Sequence, residues 1–361
     1  MQRFARSRVM QFARAGSCAV SLLISSISLT QTPAQTPQSK SEGEGVPIEV
    51  FEGPHPNLKN FKGPGYPVGE RREGNEGWVV LCFMVGANGK PYEPAVIRSS
   101  GSKVFEKESL KAVESLTFEP AALNGHPVDS AYEIKFKYSL TKPAVGARPE
   151  FVGAYHELIQ AISANDKRAA DTALQKLQVN NLYEDAYFGL ATYNYAAHWG
   201  DETQQLAGLD RAIAGEDGAH YMPKDVFAAA LRAQLQLQLR TQDYAGALIT
   251  WKKIQRAGID AETAAKLKPL IDQIETLRTD GRPYSVPGKL IDGTWYFHLF
   301  KRHFRVVVSE GHVSEIKLRC EKRYVFFDFD QQLQYEIASQ YGKCTIELVG
   351  EPGTTFSLIQ S

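Results

Sequence analysis

Few residues in this chain could do chemistry, and their spacing limits what each could do. Ser99 and Ser100, in "VIRSSGSKVFEKESLKAV", stand between a strand-like run and a helix-like run. A nucleophile on such a turn needs the glycines of G-x-S-x-G, so that its hydroxyl stands clear above helix amides. Arg98 occupies the position of the first glycine. No histidine or carboxylate follows at a recognisable spacing, so Ser100 or Ser102 is expected to accept a backbone amide at the start of a helix. His298 and His303 bracket "LFKR"; on one strand, positions of odd separation point to opposite faces, which argues against a shared metal. Asp328 and Asp330, in "DFD", share a strand face beside a turn. That pair is compatible with calcium or acid-base work, but is read first as a solvated strand end. The sequence contains no P-loop, H-E-x-x-H or G-x-G-x-x-G motif. No catalytic residue, metal ligand or cofactor is assigned, and the chain is read as a non-enzyme.

The cysteines speak about compartment. Arg3, Arg6, Arg8 and Arg14 precede an apolar run from Ala15 to Leu29 that is diluted by serines, the form of a secretory signal and short of a bilayer span. A cleaved export signal over residues 1–34 is the first reading, and an uncleaved inner-membrane anchor the second. Cys18 precedes the apolar core, which argues against a lipoprotein site. Of the remaining cysteines, Cys320 and Cys344 lie in strand-like runs near the C-terminus. In an oxidising compartment a bridge between them is expected, the alternative being two buried thiols. Cys82, within "WVVLCFMV", reads as a core thiol. No C-x-x-C pair supports a zinc ribbon or a redox site.

With 361 residues and an apolar share of 43%, the chain can bury several cores. Lys plus Arg and Asp plus Glu both number 41, so no net field draws in nucleic acid. Residues 35–65 are polar and rich in Pro and Gly and read as linker. "GWVVLCFMV", the Asn88-Gly89 turn and "YEPAVIR" then predict antiparallel strands over Trp78–Val85 and Tyr92–Arg98. Phe105, Ser109, Ala112, Val113 and Leu116 form one helix face. A second Asn-Gly turn leads into "AYEIKFKYSL", whose Tyr132, Ile134, Phe136, Tyr138 and Leu140 share a buried face. Glu133, Lys135, Lys137 and Ser139 are expected on a wet one.

Residues 150–280 turn alanine-rich and helical. Asp166, Asp201 and Asp243 sit at the bends of three helix hairpins, at spacings near the 34-residue period of tetratricopeptide units, so this part reads as TPR-like. "GRPYSVPGK" reads as a second linker. Residues 288–361 carry six strand-like runs and are expected to form a small all-β sandwich or partly closed barrel. The fold class is therefore a multidomain α+β chain.

The words "YP" at Tyr66-Pro67, "EGWVVLCFMVGANGKPYEPAVIRSSG" and "FEKESLKAVESLTFEPAALNGHPV" together resemble the C-terminal domain of the TonB family of energy transducers, over residues 66–141. The resemblance implies a hairpin-helix-strand domain that binds outer-membrane receptor segments by strand addition. Onto this sequence it carries Tyr66 and Pro67, and the edge strand with Ile134, Lys135, Phe136, Lys137 and Tyr138. It implies a periplasmic location, protein partners and a part in TonB-dependent transport. Alternatives are a periplasmic scaffold without energy transduction, and an enzyme with its site at Asp328 and Asp330.

Overall fold

The described residues are 50–59, 61–140, 146–216, 221–258 and 261–361 of a computed structural model, the side chains of 261–264 excepted. The expected export or anchor segment and residues 35–49 lie outside them. Two short strands, β1 (Phe51–Glu52) and β2 (His55–Pro56), occupy the stretch read as linker. They pair with β6 (Ala121–Leu123) and β5 (Phe118–Glu119), which corrects the linker reading there. Proline is no obstacle, because a peripheral strand tolerates its missing N–H.

After helix α1 (Val68–Glu73), strands β3 (Gly77–Val85) and β4 (Pro91–Ser99) form the expected hairpin. Gly89 turns it at φ 73°, and a Cβ there would sit 2.2 Å from the Phe118 carbonyl oxygen. Helix α2 (Lys103–Glu114) follows, then β5, β6, β7 (His126–Val128) and β8 (Ser130–Tyr138). The main sheet runs β4-β3-β8. All nine β3 residues are buried. Val79, Leu81, Phe83 and Val85 pack with Phe105 and Val113 of α2, whereas Trp78 and Val80 pack with Leu182, Ala214 and Tyr221. An apolar run without alternation is what a strand covered on both faces requires.

The helical part holds α3 (Pro149–Ser163), α4 (Lys167–Lys176), α5 (Leu182–Trp199), α6 (Glu202–Ala214), α7 (Lys224–Arg240), α8 (Tyr244–Arg256) and α9 (Ala261–Leu277). Asp166, Asp201 and Asp243 cap α4, α6 and α8, their carboxylates accepting the amides of Ala169, Gln204 and Gly246, so each aspartate marks the start of a hairpin's second helix. Helices α5 and α6 cross closely at two glycines. A Cβ on Gly189 would lie 2.3 Å from Ala212 N. Gly189→Ala is therefore expected to cost about 1–3 kcal/mol through overpacking, read as a lowered urea midpoint. Gly153→Ala in α3, where nothing lies within 4 Å, is the control and should be neutral or mildly stabilising.

Burial raises the Asp243 carboxyl from its ordinary 3.8 to about 6. Between those values the native chain holds a proton that the unfolded chain has lost, so stability falls as pH rises from about 4 to 6 and stays lower above. Asparagine caps as well as aspartate and does not titrate. Asp243→Asn should stabilise the protein by about 1–3 kcal/mol above pH 6 and add nothing below pH 4, a difference that urea unfolding at the two pH values will reveal.

The C-terminal part is a pair of four-stranded antiparallel sheets. Its strands are β9 (Tyr284–Lys289), β10 (Thr294–His298), β11 (His303–Glu310), β12 (Val313–Cys320), β13 (Arg323–Asp328), β14 (Tyr335–Glu336), β15 (Cys344–Gly350) and β16 (Thr355–Gln360). The sheets run β10-β15-β12-β13 and β14-β11-β16-β9. The "GRPYSVPGK" linker reading is corrected: Tyr284–Lys289 pairs with β16 at the sheet's edge, where Pro287 is tolerated. His298 and His303 are not on one strand but in different sheets, because the chain bends between them. The Phe300 and Lys301 amides at that bend donate to Gln360 Oε1. Cys320 and Cys344 are opposite one another on β12 and β15 and are joined by a disulfide.

Candidate functional site

The turn that opens α2 uses its serines structurally. Ser102 Oγ accepts the Phe105 amide at 3.4 Å, Ser99 Oγ donates to Glu106 at 2.6 Å, and Ser100 Oγ accepts the Trp78 amide at 3.1 Å. Farther along, Asp330 Oδ1 accepts the Gln332 amide at 2.8 Å, the local bond of a turn-forming aspartate.

Of the residues carried over for partner binding, Tyr66 is packed inward. Its hydroxyl donates to the Asn75 carbonyl, its ring meets Phe105 and Tyr138 edge-on at 5.8 Å each, and burial lifts its hydroxyl to about 12. Pro67 sits at the N-cap of α1. Among the described residues β8 pairs with β3 alone, so its other edge has no ladder partner, though β12 and β13 pass close to the strand. Ile134, Phe136 and Tyr138 face the α2 core.

The opposite face of β8 is the wet face that alternation suggests, with Glu133, Lys137 and Ser139 exposed and Lys135 half-buried, yet two of its side chains also meet other parts of the fold. Lys135 Nζ donates to the Ala214 carbonyl at the C-terminus of α6, and Lys137 Nζ lies 5.0 Å over the Tyr221 ring. Glu133 pairs with Arg98 at 3.4 Å. The lysines keep this open position and add to it a terminal helix carbonyl and an aromatic face, both good cation partners.

Two polar clusters fasten this sheet to the rest of the fold. In the first, Asp185, 2% exposed, accepts Trp78 Nε1–H at 2.7 Å and Arg211 Nε–H at 2.7 Å. Arg211 also donates to the Ser100 carbonyl at 2.8 Å. Beside it, Glu76 accepts the amides of Leu140 at 2.9 Å and Leu182 at 3.3 Å. In the second, Arg319 pairs with Glu347 and donates to the Glu93 carbonyl at 3.2 Å, while Tyr296 hydroxyl donates to Glu347 at 3.1 Å. Glu93 has φ 51° within an irregular stretch of the β3–β4 ladder, a bulge that re-aims its backbone toward Arg319. Cys82 lies near this pair, and burial pushes its thiol up to about 12, so it is an inert core thiol.

Sequence reasoning missed both clusters. Buried charges in such interfaces have no periodic signature, but the unbroken apolar run of β3 was a usable sign that its second face is covered.

Residues 62–140 match the family model described as Gram-negative bacterial TonB protein C-terminal. A curated relative, the Protein TonB of Vibrio cholerae serotype O1, is 28% identical over 111 residues, which are 30% of this chain and 46% of the relative. The match thus spans about half of that relative's length. A solution NMR structure of the Pseudomonas aeruginosa TonB CTD aligns with 23% identity and a TM-score of 0.22, covering 25% of this chain and 90% of that one. The family likeness resides in residues 62–140, the segment that holds β3, β4, α2 and β8.

Proposed function

We propose that this chain is an exported, non-enzymatic protein of the cell envelope that binds protein partners by strand addition to β8, with outer-membrane receptor segments as partners in TonB-dependent transport. The observation that carries this reading is the outer edge of β8, which pairs on one side only among the described residues. Main-chain hydrogen bonds along Ile134–Tyr138 would supply affinity, and side-chain pockets selectivity. The likeness of residues 62–140 to the TonB C-terminal domain supports it. On this reading the helix hairpins from α3 to α8 are a TPR-like platform with a second docking surface. The chain works in the periplasm, after cleavage of its N-terminal segment or held by it to the inner membrane.

Site-directed disulfide trapping in cells tests the proposal. With a cysteine in the periplasmic extended segment of a TonB-dependent receptor, Lys137→Cys on β8 should trap it several-fold more than Lys107→Cys on the exposed side of α2. Equal or absent trapping at Lys137 would count against strand addition. The clusters around Asp185 and Arg319, which fix the sheet to two other parts of the fold, favour a second reading, a scaffold without energy transduction. Capture of a soluble periplasmic protein with no receptor trapping would select it.

A further inference from the structure

The covered face of the β4-β3-β8 sheet floors a chamber of about 960 Å³. We propose that this chamber binds a small zwitterion, an amino acid or short peptide, independently of any strand added to β8. Its volume is at the upper end of the range of small-molecule sites, roughly 300–1,000 Å³, and like many of them it lies where several parts of a fold meet. Val80 and Cys82 of β3 belong to the floor, α6, α7 and α8 supply one wall, and His298 with Thr345 comes from the C-terminal sheet.

Gln234, Gln238 and Thr250 are the buried polar residues of the α7–α8 wall, and Asp210 and Asp243, half-buried, flank them, with Lys135 and Lys253 elsewhere in the lining. Gln234 Nε2–H is committed to Asp210, and Thr250 hydroxyl donates to Gln234 Oε1 at 3.1 Å. Asp243 accepts the Gly246 amide at 2.9 Å. Gln238, 7% exposed, lines the same wall, and its Oε1 is buried without a hydrogen-bond partner. A buried acceptor left unpaired costs about 1–3 kcal/mol, and the Asp210 carboxylate, near enough to raise the proton affinity of Asp243, adds to the demand. One ammonium group answers both, with three donors and a positive charge. His298 Nδ1, on the C-terminal sheet, is 2.9 Å from Thr345 Oγ1.

In the exposed lining Arg98 is paired with Glu133, and the remaining charges are cationic. Lys224 and Arg256 are exposed members of the same chamber, placed to meet a carboxylate. Between the two, Ile97, Phe227, Ile249 and Phe297 offer apolar surface for the body of the ligand. A simple anion would face Asp210 and Asp243, and a simple cation would have to pass the rim. A ligand carrying both charges would meet both groups.

The test uses the full mature chain. Each standard amino acid, dileucine and trialanine would be screened at millimolar concentration by thermal shift, and the best stabiliser titrated calorimetrically beside its N-acetyl and C-amide forms. The expected result is saturable binding that weakens at least about tenfold on N-acetylation and in Asp243→Asn or Gln238→Met, and more modestly on amidation. Stabilisation by single amino acids or only by the peptides would identify the source. Absence of any shift, or equal affinity for the acetylated form in the wild-type protein, would overturn the proposal without reliance on any variant's folding.

Discussion

Replacing Asp185 with alanine is expected to cost about 3–5 kcal/mol, the loss that follows when one partner of a buried charged pair is removed. Trp78 Nε1–H and Arg211 both end on this carboxylate. Without it the indole N–H has no acceptor, and the guanidinium, 24% exposed, loses its counter-charge. Burial alone pushes the Asp185 carboxyl upward, while Arg211 and the indole draw it down; the pair therefore stands or falls together. Asp185→Asn, which keeps an acceptor for one donor, should lose only about 1–3 kcal/mol. Urea unfolding followed by circular dichroism reads both. A loss below about 1 kcal/mol in the alanine variant would mean that the bonds across the interface are exchanged for water at no net cost.

The second large effect is expected at Cys320 and Cys344. The bridge closes a separation of 24 residues, for which restriction of the unfolded chain gives about 3.5 kcal/mol. The double variant Cys320→Ala, Cys344→Ala should lose about 3 kcal/mol and become insensitive to reductant, whereas the native protein should approach the variant's stability once reduced. Arg319 adjoins Cys320 on β12, so loosening at this strand end should also weaken the contact to Glu93. If the variant unfolds at the same denaturant concentration as the oxidised native chain, the bridge adds nothing to the fold.

The hairpin, α2 and β8 could be read from the sequence because each carries its own local sign: Asn88-Gly89 for the turn, a helical apolar face from Phe105 to Leu116, and strict alternation from Tyr132 to Tyr138. The helix hairpins were legible through Asp166, Asp201 and Asp243 for the same reason, a cap being a one-residue signal. What escaped was long-range. Trp78 and Asp185 are 107 positions apart, and no local pattern encodes their bond. Strand β9 was hidden by Pro287 and Gly288, residues whose composition says linker and whose edge position allows a strand. The lysines of β8 were legible as the open face, because alternation reports which side chains avoid the core; their contacts to the end of α6 and to Tyr221 were not, because those partners are distant in the chain. At the candidate site itself, the edge strand was visible in advance, while the chamber beneath it depends on three distant segments and was not.

The double-sided burial of β3 also sets where this chain can be divided. A fragment ending at Leu140 would retain the turn, α2 and all three strands of the sheet, yet would expose Trp78 and Val80, which are 2% and 4% exposed in the whole fold. An apolar strip of that kind invites self-association. The stretch that resembles a familiar domain is thus not a unit of solubility, and a piece of this protein meant to stand alone should include the helices that cover its second face.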